Sequence, residues 1–136
     1  MHRLLDVDPA AAPPIWRQIE DGMRRLVVSG RLVSGTAVPS VRELAKSLRV
    51  NPATVSKAYR RLTEGGLLEV RRGEGTYVVV LSAATLGALR LGLLADSAAA
   101  YVREAEAVGA DREEALRAVK HSWQLNEDGS RGGPDG

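Results

Sequence analysis

The chain has 136 residues, enough for one domain and a small appendage, and its 44% hydrophobic and 26% charged content excludes wholesale disorder. It has no Cys, which excludes disulfides, thiolate metal sites and cysteine nucleophiles and fits a reducing compartment. Net charge is +2, but residues 1–80 carry +5 and residues 81–136 carry −3, the imbalance of a polyanion-facing module joined to a part with another task.

Residues 1–13 show no periodicity and read as an N-terminal arm. They lack the apolar run and cleavage site of a secretory signal, and the apolar stretch 86–102 is broken by Arg90 and Asp96. The expectation is a soluble cytoplasmic protein without a membrane partner. Pro14 suits a first helical position, and Ile15, Ile19, Met23, Leu26 and Val27 then recur at helical spacing up to Gly30. Gly35 and Pro39 mark a turn. Ser40 with Glu43 forms a capping box for a second helix, whose apolar positions are Val41, Leu44, Ala45 and Leu48. Asn51 and Pro52 are an N-cap and a first residue for a third, with Val55, Ala58, Tyr59 and Leu62 as its buried stripe and Gly65-Gly66 as its end. LLEVRRGEGTYVVVL then reads as a hairpin around Gly73-Glu74-Gly75.

From Ser82 the composition shifts to Ala and Leu. Leu86, Leu89, Leu93, Tyr101, Ala105 and Val108 lie near one helical stripe, with Leu94 and Ala98 beside it. Gly109 and Asp111 interrupt it, and Leu116, Val119 and Trp123 mark a second helix ending before Asn126. The expected fold class is α+β, mostly α. Residues 14–81 form a winged helix-turn-helix, 82–125 a short two-helix dimerisation region, and 126–136 a disordered, low-complexity tail.

In a helix-turn-helix the second helix enters the DNA major groove, its N-terminal residues meeting base edges and its neighbours meeting phosphates. Ala53, Thr54, Ser56, Lys57, Arg60 and Arg61 cover the surface of the third helix outside its buried stripe: small residues for close approach, hydroxyls and cations as donors. Asn51 stands at the helix start, where phosphate binds, and Ser40 is a cap that can also meet a phosphate. Arg42, outside the second helix's apolar stripe, is a candidate phosphate clamp or base reader. Arg71-Arg72-Gly73 at the wing tip sets guanidinium groups beside a glycine for minor-groove insertion. His2 and His121 have no clustered ligands, so no metal, cofactor or enzymatic chemistry is expected.

PSVRELA, VNPATV and GLLEVRRGEGTYV occur in order within residues 13–78, which resemble the N-terminal DNA-binding domain of GntR-family transcription regulators. Fewer than sixty residues follow, and their two-helix pattern is similar to the YtrA branch, whose short tail serves for dimerisation. The resemblance implies DNA contacts at Arg42, Asn51, Ala53, Thr54, Ser56 and Lys57, with Arg72 and Gly73 contacting from the wing. It also implies repression, often of operons encoding ABC transporters. Many relatives have arginine where this chain has Ser56. The partners expected are a palindromic double-stranded DNA operator and a second copy of the chain, joined through Leu86, Leu89, Leu93, Leu94, Tyr101, Val108, Leu116, Val119 and Trp123. A small-molecule effector is left open, and a non-specific architectural protein or a winged helix used for protein interaction are the competing readings.

Overall fold

The computed structural model describes residues 4–131, which fold into helices α1 (Ile15–Val28), α2 (Val41–Leu48) and α3 (Pro52–Glu64), a hairpin of β1 (Leu68–Arg71) and β2 (Gly75–Val78), and helices α4 (Ala83–Ala107) and α5 (Arg112–Arg131). Two compact units result, one up to Arg90 and the other from Leu91.

The first unit has a single core. Ile19, Met23, Leu26 and Val27 of α1, Leu44, Ala45 and Leu48 of α2, and Val55, Ala58, Tyr59 and Leu62 of α3 are all buried and joined by Leu68 and Val78 of the hairpin. These are the periodic positions of each helix, so burial of one apolar stripe per helix accounts for the three-helix packing. Leu4, Leu5 and Val7 pack against this core, and the Gln18 side chain secures the arm: its Oε1 accepts from the Asp8 N–H at 2.8 Å, and its Nε2 donates to the carbonyls of Asp8 and Pro13, both at 2.9 Å.

Pro14 is the N-cap of α1 and not its first residue; its carbonyl already accepts from the Arg17 and Gln18 N–H groups. The capping box is half made. Ser40 Oγ accepts from the Glu43 N–H at 3.1 Å, while among the described residues the Glu43 carboxylate makes no return bond to the Ser40 N–H. Asn51 Oδ1 accepts from the Ala53 N–H at 2.8 Å and starts α3. Between α2 and α3 the turn runs through Arg49 at φ 58°, where the left-handed conformation normally favours glycine; the Val50 N–H meets the Ala45 carbonyl at 3.0 Å and closes it.

β1 and β2 pair antiparallel from Leu68↔Val78 to Arg71↔Gly75, leaving the three-residue loop Arg72-Gly73-Glu74, with Gly73 at φ 74°. Sequence patterning does not show that the segment before α2 joins this hairpin. Ala37 bridges Tyr77, and Val38 N–H donates to the Thr76 carbonyl at 2.9 Å, tying the hairpin to the entry of the helix-turn-helix.

In the second unit α4 ends in a turn at Gly109 (φ 77°), where the Ala110 N–H bonds the Ala105 carbonyl at 2.9 Å. Asp111 Oδ1 then accepts from the Glu114 N–H at 2.9 Å, which caps α5 as the sequence suggests. α5 differs at its far end: it continues to Arg131, where the sequence reading ends it before Asn126 and expects disorder beyond. A lone Gly129 costs a helix only about 1 kcal/mol, and no proline lies between Arg112 and Arg131, so nothing local breaks it. Residues 132–136 of the expected tail, and His2, lie outside the described residues.

Candidate nucleic-acid interface

The buried stripe of α3 fixes what its remaining faces present. Ala53, Lys57 and Arg60 are exposed, Thr54 and Ser56 are half-buried at the flanks, and Asn51 is exposed at the N-terminal end with its oxygen occupied as the cap. Ser56 and Arg60 turn towards the hairpin and line a shallow groove of about 320 Å³ with Val70 and Thr76, residues that sequence reasoning did not single out. Tyr59 belongs to the core. Its hydroxyl donates to the Pro39 carbonyl at 2.7 Å, and burial, reinforced by the nearby Glu43 carboxylate, pushes its pKa above the ordinary phenol range.

Arg61 differs from its neighbours on α3. Its Nε donates to Glu20 Oε2 on α1 at 2.8 Å, and its guanidinium lies 4.8 Å from the centre of the Trp16 ring. Glu20, only 7% exposed, also takes Arg24 at 3.3 Å. A buried carboxylate needs such partners, so the Arg61 guanidinium is already engaged within the chain. Lys57 sits over the same Trp16 ring at 4.4 Å but has no carboxylate partner among the described residues. Neither Trp16 nor Glu20 stands out in the sequence. Their only signal is the matching four-residue spacing of Trp16 and Glu20 on one helix and Lys57 and Arg61 on the other.

On α2, Arg42 is exposed and without a carboxylate partner among the described residues, while Ser40 is exposed with its hydroxyl used as the cap. The wing's two arginines divide. Arg71 is held by Glu69, at 2.9 Å to Nη2 and 3.1 Å to Nε, and lies 4.0 Å from the centre of the Tyr77 ring. Arg72 and Gly73 stand exposed at the tip. The first unit thus presents Arg42, the N-terminal half of α3 and Arg72 as groups able to meet phosphates and base edges.

The tail presents apolar surface instead. Leu86 is half-buried and packs against the core of the first unit. Leu89 and Leu93 are half-buried; Leu94, Tyr101, Val108, Leu116, Val119 and Trp123 are exposed, as are Leu91, Val102 and Leu125, which the stripe leaves out. Among the described residues of the second unit Ala105 is the one buried hydrophobic residue, and Tyr101 Oη donates to the Ala115 carbonyl at 2.7 Å to hold α4 against α5. The two helices leave between them a groove of about 600 Å³ lined by Tyr101, Val102, Leu116 and Val119.

A helix-turn-helix with a cationic second helix and an arginine-tipped β wing defines a winged-helix DNA-binding regulator. Residues 16–78 match the family described as bacterial regulatory proteins, gntR family. The chain is 33% identical over 120 residues to the HTH-type transcriptional repressor YtrA of Bacillus subtilis (strain 168), a match covering 88% of each chain. A GntR family transcriptional regulator from Listeria monocytogenes superposes with a TM-score of 0.76 at 29% identity, covering 85% of this chain and 98% of that one. AraR(DBD), solved in complex with operator ORX1, superposes with a TM-score of 0.50 at 26% identity, over 55% of this chain and 93% of that one. The chain belongs to the GntR family of DNA-binding transcription regulators. Among the described residues no helix is long and apolar enough to cross a membrane.

Proposed function

We propose that the protein is a cytoplasmic, homodimeric, sequence-specific repressor of a pseudo-palindromic operator. The carrying observation is the pairing of two surfaces: a recognition helix with exposed Ala53, Lys57 and Arg60, and a tail in which Leu94, Val108, Leu116 and Trp123 are exposed. A single winged helix reads few base pairs, so a two-fold dimer supplies the rest of the specificity. α4 is roughly 38 Å long at about 1.5 Å per residue, long enough to offer a partner several helical turns.

In this reading Ser40, Arg42, Asn51 and Arg72 meet phosphates or groove edges, Ala53, Thr54, Ser56, Lys57 and Arg60 face the major groove, and Gly73 lets the wing backbone approach. Leu89, Leu93, Leu94, Tyr101, Val108, Leu116, Val119 and Trp123 form the dimer contact. Repression follows from competition with polymerase for the promoter. An ABC-transporter operon is the target class that the family resemblance implies. Fluorescence anisotropy against a selected duplex and a scrambled one tests the reading: a repressor prefers its own site by about a thousandfold or more. Equal affinity for both would instead indicate an architectural protein, and negligible binding at physiological salt a protein-interaction module.

A further inference from the structure

The α1 face opposite the recognition helix carries Trp16 and Glu20 one turn apart, and α3 answers with Lys57 and Arg61 at the same spacing. The contacts are specific: Glu20 to Arg61 at 2.8 Å, and the Trp16 ring to Lys57 at 4.4 Å and to Arg61 at 4.8 Å. Their consequences for charge differ. Glu20 balances Arg61, whereas an aromatic ring attracts the Lys57 ammonium without cancelling its charge. Lys57 is also the member nearer the N-terminal end of α3, the end that meets DNA in a helix-turn-helix.

The geometry points to Trp16 as a positioning residue for DNA binding. Its ring holds the Lys57 ammonium in place for a phosphate oxygen, while Glu20 keeps Arg61 as a strut between α1 and α3. The inference rests on the DNA-binding reading of α3. An ammonium seated on a ring still directs N–H groups outward, so it can hold the ring and a phosphate together. A free lysine loses several rotatable bonds' worth of freedom when it binds, and Trp16 removes part of that loss beforehand.

Because phosphate contacts are independent of sequence, a mixed-sequence DNA duplex at low salt serves as the probe. Anisotropy titrations of the full chain are made for Trp16→Leu, Trp16→Tyr, Lys57→Ala and Trp16→Leu combined with Lys57→Ala. Trp16→Leu is expected to weaken binding about two- to fivefold, the scale of one exposed cation–π contact, and Trp16→Tyr, which keeps a ring, to stay near wild type. Lys57→Ala lowers the slope of log affinity against log salt by about one, and adding Trp16→Leu to it causes no further loss. A purely structural role for Trp16 would give the same loss with and without Lys57, and that additivity overturns the proposal. So does tighter binding by Trp16→Leu, which would mean that the ring sequesters Lys57. If the wild type itself shows no salt-dependent binding, the DNA-binding reading of α3 fails and the inference falls with it. If the wild type binds with a normal salt slope but the two substitutions do not couple, the inference about Trp16 alone fails.

Discussion

Replacing Leu116 and Val119 together by glutamate removes one apolar wall of the α4–α5 groove and places charge where a partner protomer would dock. In the single chain these residues are 52% and 45% exposed, so roughly half of each side chain's burial remains to be gained in a dimer. Full burial of a Leu or Val is worth about 1.5–3 kcal/mol, which leaves about 1 kcal/mol for each residue. A two-fold interface counts each residue twice, giving about 4 kcal/mol, or roughly a thousandfold in the dimer dissociation constant, before any cost of desolvating the glutamates. Sedimentation velocity across a dilution series reads this shift directly. Leu94→Glu, at 60% exposed and outside the winged-helix core, provides a second probe that leaves the groove itself intact. Far-UV circular dichroism checks that both variants stay helical. If both keep the wild-type dimer at every dilution, the tail is not the interface and the proposed assembly is wrong.

Other substitutions separate stability from binding. Arg42→Ala should leave the melting temperature unchanged and lower the salt slope of DNA affinity by about one; an unchanged slope in a gel-shift or anisotropy series removes Arg42 from the interface. Tyr59→Phe strands the Pro39 carbonyl and should cost about 1 kcal/mol, a drop of about 4–8 °C in thermal midpoint. Because burial raises the Tyr59 pKa in the folded state, its neutral form contributes stability that is intact below the unfolded phenol value near 10 and falls as pH rises above it. Wild type should therefore lose stability more steeply than Tyr59→Phe in urea titrations on the alkaline side of that value, and parallel profiles would contradict the assignment. Arg49→Gly relieves a left-handed residue at about 1–2 kcal/mol against a glycine entropy cost of about 0.5–1 kcal/mol. The urea midpoint should rise by about 0.5–1 kcal/mol in free-energy terms at constant m, and a fall would show that the Arg49 side chain supports the turn.

The three helices and the hairpin were legible because their signals are local: helical spacing of apolar residues, Asn51 and Ser40 as caps, and glycines at the ends. Contacts between segments distant in sequence were not. Nothing local announces that Ala37 pairs with Tyr77, or that Glu20 captures Arg61 across the α1–α3 interface. The same limit hides the pairing of Arg61: an exposed cation on a recognition helix looks identical in sequence whether or not a buried carboxylate waits opposite. Leu86 fell within the tail's stripe because periodicity records which face is apolar and not what covers it. α5 was cut short because a polar, Gly-containing segment resembles a loop in composition, although one glycine is too weak to end a helix.

Selection of binding sequences from a random DNA pool by the full-length protein tests the central claim most directly. A symmetric repressor should enrich two inverted half-sites whose centres lie one helical turn, about 34 Å, or a multiple of it apart. Recovery of sequences with no shared motif, or of a lone half-site without its inverted mate, would contradict a dimeric, sequence-specific repressor.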